Sequence, residues 1–217
     1  MRVSPRDART LVLVALAVVG VVAAVPAGLT GPADATNAPT RIDSCTTIKQ
    51  SGEYVLTSDV KNGGKTPISK PCIRIAADDV TLDGKGHTLD GRGVSHTKGI
   101  TVDGATGVTI RNLEVNDWHY GIYVRNGSAE IREVRTFSNA YGVKLENASG
   151  STVANNVVEE NLIGIYVDPG NGVNVENNEV RGNEVAVKYI DGANAASSGS
   201  GSAGSDSGGS GSSNESA

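Results

Sequence analysis

Starting from Thr101, tyrosines and cations recur at near-regular intervals along this chain, as Tyr123, Lys144, Tyr166 and Lys188. Two residues beyond Thr101, Tyr123, Lys144 and Tyr166 come Asp103, Arg125, Glu146 and Asp168. Rings spaced this way can cover the apolar faces of a sugar chain while polar neighbours bond its hydroxyls. Tyr123, Lys144, Tyr166, Lys188 and Arg125 are therefore the candidate ligand-binding residues. The alternative is an ordinary solvated sheet, where Tyr and Lys pair across strands for their own sake. Glu146 and Asp168 are the candidates for acid chemistry, since a retaining glycosidase needs two carboxylates about 5–5.5 Å apart. The same acids could hold Ca²⁺ through oxygen ligands. His87, His96 and His119 are the only histidines, and their spacing matches no transition-metal motif. No metal, no cofactor other than such a Ca²⁺, and no assigned catalytic residue are expected.

Those columns require a scaffold that repeats. Segments led by Gly99, Gly121, Gly142 and Gly164, with a degraded fifth start at Ala186, follow one another at steps of 22, 21, 22 and 22 residues. A fixed period of this size means a solenoid. Each segment holds short runs of alternating apolar and polar residues broken by Gly, Asn and Asp, which is strand–turn–strand chemistry. The reading is all-β: a single-stranded, right-handed parallel β-helix solenoid of about five coils, with an N-terminal cap and a disordered C-terminal tail. Alternation points Ile100/Val102, Ile122/Val124, Val143/Leu145 and Ile165/Val167 inward. A second inward column holds Val108/Ile110, Ala129/Ile131, Ser151/Val153 and Val173/Val175. A third holds Leu113/Val115, Val134, Val158 and Val180. Asn112, Asn155 and Asn177, and again Asn139, Asn161 and Asn183, suit left-handed turns and stacked amide ladders.

The domain plan follows. Residues 1–35 read as a signal peptide, with the apolar run Leu11–Val25 behind Arg2, Arg6 and Arg9 and a small-x-small site at Ala33-Asp34-Ala35; an uncleaved anchor is the alternative. Residues 36–71 do not match the repeat and read as the cap, 72–191 as the coils, and 192–217 as a Gly/Ser-rich disordered tail. Removing the leader leaves 16 basic and 22 acidic side chains. That acidic balance excludes a nucleic-acid footprint. No membrane span is expected in the mature chain, and an extracellular or cell-surface location is. In an exported chain Cys45 and Cys72 read as a disulfide tying cap to first coil, with two buried free thiols as the alternative. Asn126-Gly127-Ser128, Asn147-Ala148-Ser149 and Asn214-Glu215-Ser216 are glycosylation sequons, the first two at the same turn of neighbouring coils. Trp118, the only tryptophan, is expected to pack under the loop of the preceding coil.

The run CIRIAADDVTLDGKGHTLDG, followed by GI-x-V and NN-x-V coils, resembles secreted right-handed parallel β-helix proteins of pectin-lyase-like architecture. It is most similar to the NosD-type periplasmic copper-binding domain, also described as a carbohydrate-binding and sugar-hydrolase (CASH) domain, and to exported halophilic-archaeal chains with a Cys-bearing cap. The resemblance covers about residues 40–191 and implies the fold. For function it implies a non-catalytic exported module that binds glycan or cell-envelope material. It also brings two alternatives, a polysaccharide lyase, hydrolase or epimerase, and a metal-handling accessory protein. The chain departs from the family in having few coils, no catalytic run and no distinct copper-ligand cluster.

Overall fold

The computed structural model describes residues 38–168 and 172–190. The expected signal peptide, the tail and the Asn214 sequon lie outside them. In chain order the strands are β1 (Thr40–Ile42), β2 (Thr46–Ile48), β3 (Gly52–Leu56), β4 (Pro71–Ile75), β5 (Val80–Asp83), β6 (Thr88–Asp103), β7 (Val108–Arg125) and β8 (Ala129–Phe137). They continue with β9 (Tyr141–Glu146), β10 (Thr152–Ala154), β11 (Val157–Glu159), β12 (Ile163–Val167), β13 (Asn174–Glu176), β14 (Glu179–Arg181) and β15 (Val185–Tyr189). Among the described residues these strands form one continuous ladder, every pairing parallel to the strand one coil on. This is the parallel β-solenoid expected from the repeats. About four turns separate the first regular coil, β5–β6, from the last, β13–β15.

Three faces wind around one core. The face of the glycine-led segments stacks Ile73, Ile100, Ile122, Val143, Ile165 and Val187 in one inward column, with Ile75, Val102, Val124, Leu145 and Val167 beside it. All of these except Val187 are buried. Burying each such side chain contributes about 1.5–3 kcal/mol. The leading glycines are required by close approach. A Cβ on Gly99, Gly121, Gly142 or Gly164 would lie 2.5–2.7 Å from the carbonyl oxygen of the matching residue one coil on. Ala186 ends that column among the described residues, so its own methyl meets no such carbonyl.

The cap region proves to share the winding. β1 pairs β3, β3 pairs β5, and β2 pairs β4, all parallel. Cys45 and Cys72 form the disulfide, their Cα atoms 4.4 Å apart. Trp118 packs inside, 2% exposed, its indole N–H donating to the Leu89 carbonyl at 2.9 Å.

The third column differs in detail from the sequence reading. Leu113 stands opposite Val134, whereas Val115, Thr136, Val158 and Val180 form a separate column that Val60 and Leu89 begin. The backbone N–H of Val134 donates to the Asn156 side-chain oxygen, so an amide occupies the place where the Leu113–Val134 column would run on. The asparagines therefore split into two groups. Asn112, Asn155 and Asn177 turn corners in left-handed geometry, at φ 58°, 58° and 53°. Asn156 and Asn178, and separately Asn139, Asn161 and Asn183, form the amide ladders, buried at Asn139, Asn156 and Asn161 and half-buried at Asn178 and Asn183. Among the described residues no helix is long and apolar enough to cross a membrane.

Candidate functional site

The outward side of the glycine-led face carries the predicted column. Arg74, Thr101, Tyr123, Lys144, Tyr166 and Lys188 stand in register on successive coils. Beside them Asp103 stands opposite Arg125, and Arg125 opposite Glu146. Neighbouring strands are about 4.8 Å apart, so each coil except that of Thr101 presents one ring or cation along the stack.

The rings collect around Lys144. Its Nζ lies 5.2 Å from the Tyr123 and Tyr166 ring centroids, 5.3 Å from Tyr120 and 5.9 Å from Tyr141. These are cation–π distances. The same Nζ pairs with the Glu146 carboxylate at 3.0 Å, and the Tyr123 hydroxyl donates to that carboxylate at 2.7 Å. Tyr123, Lys144 and Glu146 therefore form one closed polar unit. Its titrations follow from these contacts. Burial raises the Tyr123 phenol, and the bond to Glu146 raises it further. The Tyr123 and Lys144 bonds hold Glu146 below the usual carboxylate range. Burial opposes the charge on Lys144, but the Glu146 bond and charge outweigh it and move the ammonium upward.

This packing alters the part each predicted residue can play. Tyr123 is 7% exposed and its hydroxyl is engaged, so it is a strut within the face and offers little ring surface to a ligand. Tyr166 is half-buried and Lys188 exposed, with the Lys188 Nζ 5.9 Å from the Tyr166 centroid. Arg125 is exposed but clamped in a two-pronged pair with Asp103, both contacts 2.9 Å, and Asp103 also receives Arg74 at 3.0 Å. The Arg125 bonds hold Asp103 low. Glu146 is ionised and bonded twice, which does not suit it to donate a proton. Asp168 sits one coil on, its backbone N–H donating to the Leu145 carbonyl at 2.8 Å.

Sequence reading missed the neighbouring column. Tyr120 and Tyr141 stand in register just before their leading glycines, with Lys98 before them and Ile163 after. The Tyr120 ring stacks on Tyr123 at 5.2 Å and lies 5.1 Å from Tyr141, which meets Tyr166 edge-on at 5.7 Å. Lys98 Nζ sits 5.7 Å from the Tyr120 centroid. The signal was present in the dipeptides Lys98-Gly99, Tyr120-Gly121 and Tyr141-Gly142. His96 stacks on His119 at 5.5 Å at the same end of the face. Burial depresses His119, helped by the charges of His96, Lys98 and Lys144. Burial likewise depresses Lys98, with Arg125 and Lys144 adding to it. Among the described residues no group of three or more His, Cys, Asp or Glu side chains is placed to hold a metal ion.

Residues 73–204 match the family model described as a right handed beta helix region. No curated protein matches the sequence. Among solved structures, the crystal structure of the Dettilon tailspike protein is similar at 17% identity and a TM-score of 0.49. That match covers 70% of this chain and 39% of the tailspike chain.

Proposed function

The chain belongs to the right-handed β-helix family, and on that premise we propose that it is an exported, non-catalytic module binding polysaccharide or cell-envelope glycan along the tyrosine–lysine face. The observation that carries this reading is the stacked set Tyr141, Tyr166, Lys98 and Lys188, which flanks the closed Tyr123–Lys144–Glu146 unit. Half-buried rings held edge to face by their neighbours are rigid, so they lose little entropy when a sugar ring settles on them. The acids of the face support binding over turnover, because Glu146 and Asp103 already have cationic partners. The disulfide supports an oxidising compartment, as does the apolar leader.

Affinity electrophoresis tests the proposal. The mature protein is run through gels containing neutral or acidic polysaccharides beside the Tyr141→Ala/Tyr166→Ala double variant. Retardation that the double variant loses is the expected result. Equal mobility of wild type in every gel would remove the glycan reading for those sugars.

A further inference from the structure

We propose that Asn126 and Asn147 form a paired site of N-linked glycosylation at one corner of the solenoid. Both head an Asn-x-Ser sequon, both are exposed, and both turn the chain in left-handed geometry, at φ 52° and 48°. Neither side chain makes a hydrogen bond to another described residue. The residue after each asparagine is closely packed. Ala148 is 1% exposed, and a Cβ on Gly127 would lie 2.1 Å from the Ala105 carbonyl oxygen. Both asparagines are exposed, Ser149 is exposed and Ser128 half-buried, and asparagine and serine are the two residues that sequon recognition needs.

The two sites are neighbours. Arg125 stands opposite Glu146, and the Asn126 backbone N–H donates to the Glu146 carbonyl at 3.0 Å. Their backbones are thus one coil apart, about 4.8 Å. The donor is a lipid-phosphate-linked oligosaccharide. The asparagine amide nitrogen forms a bond to the anomeric carbon, the bond from that carbon to the phosphate oxygen breaks, the lipid phosphate leaves, and the amide loses one proton. No electrons are exchanged. A glycan here would border the tyrosine face on the side of Arg125 and Glu146. The inference rests on the proposed function only through export.

The chain is isolated from the culture fluid or envelope of cells that glycosylate their exported proteins, and from their cytosol. Trypsin then releases Asn126–Arg132 and Leu145–Arg181 for mass measurement. The expected result is an added oligosaccharide mass on one or both peptides of the exported chain, lost from the first in Ser128→Ala and from the second in Ser149→Ala. Both peptides at their unmodified mass in the exported chain overturn the glycosylation while leaving export standing. An unmodified chain found only in the cytosol overturns both. Absence of polysaccharide retardation in the wild-type exported chain, with the added mass present, would instead count against the glycan-binding face alone.

Discussion

Replacing Asn156 by alanine should cost far more than any change at Asn155 beside it. Asn156 is 2% exposed. Its amide donates to the carbonyls of Ile131 at 2.9 Å and Ala154 at 3.0 Å and to the Asn178 side chain at 2.9 Å, and its oxygen accepts the Val134 N–H at 3.0 Å. The amide has two hydrogens for its three acceptors, so at about 1 kcal/mol net for each full bond the variant loses about 3 kcal/mol, of which the orphaned Val134 N–H alone accounts for about 1–3. Asn155 is exposed at φ 58°, a geometry glycine adopts without strain, so Asn155→Gly should stay within about 0.5 kcal/mol of wild type. Urea unfolding followed by far-UV circular dichroism measures both. Amide exchange at Val134 should rise in Asn156→Ala before it rises in the N-terminal coils, because each coil is stabilised mainly by its neighbours. A loss below about 1 kcal/mol for Asn156→Ala, or an equal loss for both variants, would refute the two-role assignment.

Gly142→Ala places a methyl 2.7 Å from both the Gly164 carbonyl oxygen and the Thr136 hydroxyl; overpacking of that kind costs about 1–3 kcal/mol, whereas Ala186→Gly should change stability by less than about 1 kcal/mol, both read by thermal unfolding. Replacing Cys45 and Cys72 together by alanine opens a loop of sequence separation 27 and should cost about 3–4 kcal/mol on the chain-entropy relation, with the earliest amide exchange in β1–β3. Glu146, Asp103 and Glu159 have carboxyls held below their unfolded values, Glu159 chiefly by its Arg135 bond. A depressed folded value contributes stability that is full above the unfolded value and lost as pH falls through the folded one. The protein should therefore hold its stability down to about pH 4.5 and lose it below, and Glu159→Gln should flatten that fall in urea titrations taken across pH.

Most of the fold was legible because a solenoid repeats its constraints. The glycine at the head of each segment marks where one backbone meets the next, so the inward columns Ile100 to Ile165 and Val102 to Val167 follow from counting. The third face was harder to read, because buried polar groups stand where apolar ones were sought. Thr136 fills the place of a valine, and Asn156 and Asn178 carry on where the Leu113–Val134 column stops. Alternation alone does not distinguish an amide bonded inward from one that turns a corner, so it points to Asn155 and Asn177 in place of their neighbours. The candidate face is legible in its register and not in its contacts. Register placed Tyr123, Lys144, Tyr166 and Lys188 together, yet spacing carries no information on which side chains bond one another. The Tyr123–Glu146 bond, which withdraws that ring from solvent, depends on reach across one coil. Tyr120 and Tyr141 fall outside a count that starts at the glycine following each of them.

The most direct test of the glycan-binding face is calorimetric titration of the mature protein with whichever polysaccharide retards it, comparing Tyr166→Ala with Tyr123→Phe. Tyr166→Ala should weaken binding about tenfold, equivalent to 1.4 kcal/mol. Tyr123→Phe removes only a hydroxyl bonded within the protein, so it should bind within about twofold of wild type while losing stability. Unchanged affinity in Tyr166→Ala, or no heat with any polysaccharide, would contradict a ligand lying along these rings.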